Sequence, residues 1–215
     1  MNYTGAIFDM DGLMFDTENI YQETWNELAA ENGVTLGKDF VADICGTSGA
    51  HMCRVIEKHY GVADGSMIME ECMKRVRKKL KVYVPKKPGI DRILKAFHDR
   101  GVRLAVASSS YPEQIESNLI LAGVREYFDA VVSGKSVEHG KPAPDIFLLA
   151  AKQIKCAPET CYVFEDSENG IRAGKAAGCT AIMIPDDLKK SEKLQIKFII
   201  VWMNLQKKYW KQIYK

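Results

Sequence analysis

Three apolar residues, Ala6, Ile7 and Phe8, run directly into Asp9, and Asp11 follows two positions later with Gly12 behind it. Such a run is short for a helix and has the character of a strand buried in a parallel sheet. Side chains on extended backbone repeat every two residues, so both carboxylates can leave the strand end in one direction. Gly12 permits a tight turn that a bulkier residue would resist. Two like charges held this close repel unless something cationic lies between them. A hard divalent cation with oxygen ligands, Mg²⁺, suits that place. The plainer alternative is two acids decorating a turn, and it is decided by what the rest of the chain supplies.

From Glu18 the pattern turns helical. Ile20, Tyr21, Thr24, Trp25, Leu28 and Ala29 recur on one face, and Gly33 marks a stop. Further helices are expected over 38–44, 49–60 and 66–82, the last with Met69, Met73, Val76 and Leu80 as its core-facing stripe. Residues 18–84 thus read as an all-helical unit without a strand, ending at the stiff connector Pro85, Pro88 and Gly89. Beyond it, helices and strands alternate. Strands are predicted at 103–107, 129–133, 161–164 and 180–184, with helices at 90–97, 112–122, 144–154 and 168–177. That alternation implies a Rossmann-like, doubly wound parallel α/β sheet with helices on both faces. The first strand belongs to the same sheet. The expected division is therefore a core of 1–16 and 86–215 with a helical cap domain, 17–85, inserted.

The formal net charge is only +2, and apolar residues make up 47% of the chain, which fits a globular protein without a strong pull toward nucleic acid or membrane. No apolar run approaches the length of a membrane span, and the N-terminus lacks a signal-peptide pattern. The six cysteines are scattered with no Cys-x-x-Cys pair, so reduced thiols and a cytoplasmic location are expected. The four histidines show no metal-ligand spacing, which argues against zinc. Residues 189–215 carry eight Lys against one Glu; a final strand at 198–202 and a Lys-rich helix at 204–214 are expected there, with the charge read as a solvated face.

Four chemically informative spots fall just past predicted strand ends: Asp9 with Asp11, Ser108, the loop at Lys141, and Glu165 with Asp166. In open α/β sheets the ligand crevice lies outside the carboxyl ends of the strands, so these distant residues should converge. Carboxylates, a hydroxyl and an ammonium together suit a tetrahedral dianion bound through a metal. Each spot alone has a structural explanation: Ser108 as a turn residue, Lys141 as a surface lysine, Glu165-Asp166-Ser167 as a helix cap.

The motifs DMDGLMFDTE (9–18), VASSS (106–110), GKPAPDIF (140–147) and FEDSENG (164–170) together resemble the haloacid dehalogenase superfamily of phosphohydrolases, in the branch with a helical cap after the first motif and closest to the β-phosphoglucomutase-like group. The resemblance covers about residues 3–185. It implies that Asp9 attacks phosphorus as a nucleophile and that Asp11 is the acid and then the base. It further implies Mg²⁺ held by Asp9, Asp11 (through its backbone carbonyl), Asp166 and Glu165. Phosphoryl oxygens would be bound by Ser108, Lys141 and the Ser109 backbone. Asp16 and Thr17, where core passes into cap, are candidates for a hinge or a substrate contact. The expected partner is a small phosphorylated metabolite, a sugar or nucleoside phosphate, acted on by a monomer.

Within that group a phosphatase is favoured over a mutase. Mutase relatives carry a cap arginine immediately after a Gly-x-Ser triplet, whereas Gly46-Thr47-Ser48 is followed here by Gly49; Tyr21 stands where mutases have histidine. A non-catalytic phosphoacceptor of the receiver type is the rival from another class, but receivers lack the Asp-x-Asp pair and the helical insertion.

Overall fold

The computed structural model describes residues 3–44, 47 and 49–184. The strand and helix expected at 198–202 and 204–214 lie outside the described residues. The chain begins with β1 (Gly5–Phe8) and then makes four helices, α1 (Thr17–Glu31), α2 (Asp39–Ile44), α3 (Gly49–Tyr60) and α4 (Ser66–Leu80). It continues through α5 (Ile90–His98), β2 (Arg103–Ser108), α6 (Pro112–Leu121), β3 (Ala130–Ser133), α7 (Asp145–Gln153), β4 (Cys161–Glu165), α8 (Glu168–Ala176) and β5 (Thr180–Met183). Short 3₁₀ turns at Arg125–Tyr127, Gly134–Ser136 and Pro158–Thr160 were not anticipated from the sequence.

The five strands form one parallel sheet in the order β3-β2-β1-β4-β5. This is the doubly wound α/β arrangement that the alternation predicts. β1 is central, and all four of its residues are buried. Its side chains alternate between two cores. Ala6 and Phe8 join Leu104 and Val106 with α5 and α6, through Ile93, Leu94, Ile115 and Leu119. Ile7 joins Ala105, Ala107 and Val163 with α7 and α8, through Ile146, Phe147, Ala150 and Ala173. The order of strands reverses beside β1, and that is where an open α/β sheet leaves its crevice.

Helices α1–α4 bury Trp25, Leu28, Phe40, Ile56, Tyr60, Val76 and Leu80. On α4 the fully buried stripe is Cys72, Val76 and Leu80, at four-residue spacing. The expected Met69 and Met73 are only half-buried; Met73 Sδ lies 3.7 Å from the Tyr21 hydroxyl on α1, and Met69 Sδ 3.7 Å from Cys53 Sγ on α3. Across α1 and α4, Arg75 grips Glu31 through both oxygens at 2.6 and 2.8 Å, and Lys79 meets Glu27 at 2.8 Å. The chain leaves the sheet and returns to it side by side. Asp16 N donates to Pro85 O at 2.8 Å, Lys87 N donates to Met14 O at 2.8 Å, and Phe15 makes an antiparallel bridge with Lys86. Among the described residues, no helix is long and apolar enough to cross a membrane.

Candidate active site

The register of the sheet brings the site together. Phe8 lies opposite Val106 on one side and Phe164 on the other, so Asp9, Ala107 and Glu165 emerge at the same edge. Asp9 N continues the ladder to Phe164 O at 3.0 Å. The backbone then folds over itself: Gly12 N donates to Phe15 O, and Met14 N and Phe15 N both donate to Met10 O. Met10, Met14 and Phe15 are fully buried, which pins this loop. Gly12 has φ +81°, and a Cβ there would collide with the Asp166 carboxylate. Gly12 thus serves both the turn and the close approach of Asp166 to the Asp9–Asp11 loop.

Lys141 comes from the loop before α7. Its Nζ lies 2.5 Å from Asp9 Oδ1, 2.6 Å from Glu165 Oε1 and 3.1 Å from Ala107 O. The side chain is 7% exposed, so the ammonium is stable there only because acids surround it. Burial alone would lower its pKa; the charges of Asp9 and Glu165 outweigh that and raise it. Burial pushes Asp9 up to about 7, with Lys141 pulling it down and Glu165 and Asp11 pushing it further up. One ammonium does not neutralise the acids gathered here.

Asp11 is held by hydroxyls. Ser110 Oγ donates to its Oδ2 at 2.8 Å, and Thr17 and Ser108 also hydrogen-bond to it. Burial raises its pKa, and these hydroxyls offset part of that rise. Ser108, 1% exposed, accepts from Ser110 N at 3.1 Å. Ser110 O in turn accepts from Ser133 Oγ at 2.6 Å, which fixes the loop after β2. Ser109 lies on the same loop with its side chain exposed, and its Cα is close to Gly134. Glu165 is 1% exposed; its Oε2 accepts from Ser167 N at 2.9 Å and Ser167 Oγ at 2.8 Å. Ser167 Oγ also accepts from Gly170 N at 3.0 Å, capping α8. A Cβ on Gly170 would strike the Glu165 carboxylate, so that glycine makes room for it.

The structure thus gathers Asp9, Asp11, Ser108, Lys141, Glu165 and Asp166 at one sheet edge. Of the two candidates at the passage into the helices, Thr17 joins Asp11, while Asp16 turns to Lys87 at 2.9 Å and to Asn19 at 2.5 Å. Ser110 has a part in the site that sequence reasoning did not give it. Its only signal was membership of the serine triplet after β2.

No set of three or more His, Cys, Asp or Glu among the described residues forms a ready metal cage. The donor chemistry nevertheless fits a hard dication. Asp9 and Asp166 offer carboxylate oxygens beside the Gly12 turn, and Asp9 is pushed up first by burial and then by the neighbouring charges of Glu165 and Asp11. Glu165 fits the direct role less well, since both of its oxygens already accept hydrogen bonds.

Residues 6–184 match the model of the haloacid dehalogenase-like hydrolases. The chain belongs to that family. It is 36% identical over 181 residues to fructose-1-phosphate phosphatase YqaB of Escherichia coli, a match covering 84% of this chain and 95% of that one. Among solved structures of the family, CbbY from Rhodobacter sphaeroides in complex with phosphate superimposes with a TM-score of 0.67 at 28% identity, covering 85% of this chain and 86% of that one. The β-phosphoglucomutase of Clostridium difficile gives 0.70 over 99% of this chain and all of its own; at 24% identity that likeness concerns the fold.

Proposed function

We propose that this protein is a Mg²⁺-dependent phosphatase of small phosphate monoesters, sugar or nucleoside phosphates, working through an aspartyl-phosphate on Asp9. The observation that carries the reading is the meeting of Asp9 and Lys141 at 2.5 Å, with Asp11 two residues on and held by Ser110. A phosphatase relative at 36% identity supports it.

Lys141 fixes Asp9 Oδ1, which leaves the other carboxylate oxygen to attack phosphorus. A P–O bond forms to Asp9 as the ester P–O bond breaks. Asp11 gives its proton to the departing alkoxide, and burial raises its pKa in the direction that favours the protonated acid. In the second half Asp11 takes a proton from water as the water oxygen bonds to phosphorus, and Asp9 leaves as carboxylate. Lys141 and the Ser108 hydroxyl bind the phosphoryl oxygens. Mg²⁺ would be held by Asp9, Asp166 and the Asp11 backbone carbonyl, with Glu165 orienting Lys141 or lending a ligand; when bound it supplies positive charge that offsets the charge on the transferring group. The helices α1–α4 act as a cap that excludes water and shapes the space for the leaving group.

Asp9→Asn tests this directly. Hydrolysis of an aryl phosphate should fall by at least about 10³-fold, with circular dichroism unchanged. Near-normal turnover in that variant would end the nucleophile assignment.

A further inference from the structure

Helices α4 and α6 face each other across a cavity of about 250 Å³. Leu80 and the Tyr111 ring give it apolar walls; Arg77, Lys81, Gln114 and Asn118 give it polar ones. Three other cations of α4 are paired, Arg75 with Glu31 and Glu71, Lys74 with Glu71, and Lys79 with Glu27, while the exposed Lys78 lies off the lining. Arg77 and Lys81, one helical turn apart, form no ion pair among the described residues, and both line the cavity. Glu113 is the single acid on the lining, so its charge is net positive.

Asn118 provides an independent sign. It is 2% exposed, and its Nδ2 has no hydrogen-bond partner. An unmet buried donor costs about 1–3 kcal/mol, and an oxygen arriving in the cavity would meet it. A cationic ligand would satisfy neither this donor nor the two positive charges.

The cavity lining reaches the residue next to the loop after β2. Tyr111 directly follows Ser110, whose hydroxyl donates to Asp11 at 2.8 Å. We infer that the cavity recognises the far end of the leaving group and takes an oxyanion there, a carboxylate or a second phosphate. Arg77 and Lys81 pair with its charge, and Asn118 Nδ2 donates to one of its oxygens. The inference rests on the phosphatase reading above and narrows its substrates to phosphate monoesters of acidic sugars or polyols. A ligand so placed bridges the inserted helices and the sheet.

Two matched pairs of esters test it: glucitol 6-phosphate against 6-phosphogluconate, and fructose 1-phosphate against fructose 1,6-bisphosphate. An aryl phosphate without a second anion is the reference. The wild type should favour the acidic member of one pair by about tenfold in kcat/KM. Arg77→Ala and Lys81→Ala should each bring that ratio near one and leave the aryl phosphate within about twofold. The pair that shows the preference tells a carboxylate from a phosphate. A wild-type ratio near one in both pairs, or a ratio unmoved by the two variants, overturns the inference. Loss of aryl phosphate hydrolysis in the wild type strikes the phosphatase reading instead. In Asn118→Leu the ratio should fall while Tm holds or rises, since an unmet donor has been removed; a lower Tm with an unchanged ratio would assign Asn118 to the fold alone and count against the site.

Discussion

Lys141 shows how much a single side chain organises here. It joins β1, β2 and β4 through Asp9, Ala107 O and Glu165. Removing its charge leaves two buried carboxylates facing each other, so Lys141→Met should lose about 3–5 kcal/mol in urea unfolding at about pH 7.5. The loss should shrink at about pH 5, because a proton on Asp9 removes one of the facing charges. A variant as stable as the wild type at both pH values would show that the ammonium holds nothing together. At this scale the sequence was a good guide wherever a candidate group sits at a strand's end, as Asp9, Ser108 and Glu165 do, or in a motif ahead of a helix, as Lys141 does. Ser110 was hidden because its role depends on a loop fold, with Ser108 Oγ and Ser133 Oγ bending the backbone so that its hydroxyl reaches Asp11. Local pattern carries no trace of that.

Among the elements, α8 links stability to the site through its first residues. Ser167 caps the helix with Gly170 N and donates to Glu165 with the same hydroxyl. Ser167→Ala should cost about 1–2 kcal/mol and lower kcat, and Ser167→Thr should recover both. An alanine variant with wild-type urea midpoint and kcat would separate the cap from the site. The elements themselves were largely legible because their signals are short-range: apolar runs closed by polar residues, Pro112 opening α6, and Gly33, Gly61, Gly101 and Gly123 closing helices or turns with positive φ. The 3₁₀ turns escaped because three residues carry too little periodicity to be read. On α4 the expected Val76 and Leu80 are buried, but Cys72 and not Met69 or Met73 completes the stripe, since packing against α1 and not hydrophobicity alone chooses the buried face.

Across the whole molecule, on the proposed reading, the fold answers to pH and to metal. The folded state holds Asp9 protonated up to about 7, against an ordinary 3.8. Between those values the folded protein binds more protons than the unfolded chain, so its stability falls as pH rises through the window. Chelator-treated protein should therefore show a lower urea midpoint at about pH 7.5 than at about pH 5.5 from this group. Mg²⁺ should raise the midpoint at the higher pH, and activity should vanish with chelator and return with Mg²⁺. Full turnover in metal-free buffer would refute the need for the ion. The convergence of the site was readable because parallel strands all point one way, so every strand end with chemistry on it had to arrive at the same edge. How the inserted helices pack on one another was not, because it depends on side chains such as Tyr21 and Arg75 meeting partners far along the chain.

The paired exit and return at Phe15 and Lys86 have one more effect. With the two ends bonded side by side, 17–85 is, on the proposed division, a cassette: a short Gly-containing link in its place should leave the sheet closed, open to any ester and selective for none. Grafting the corresponding helices of another family member into that gap would then carry the donor's substrate preference across with them.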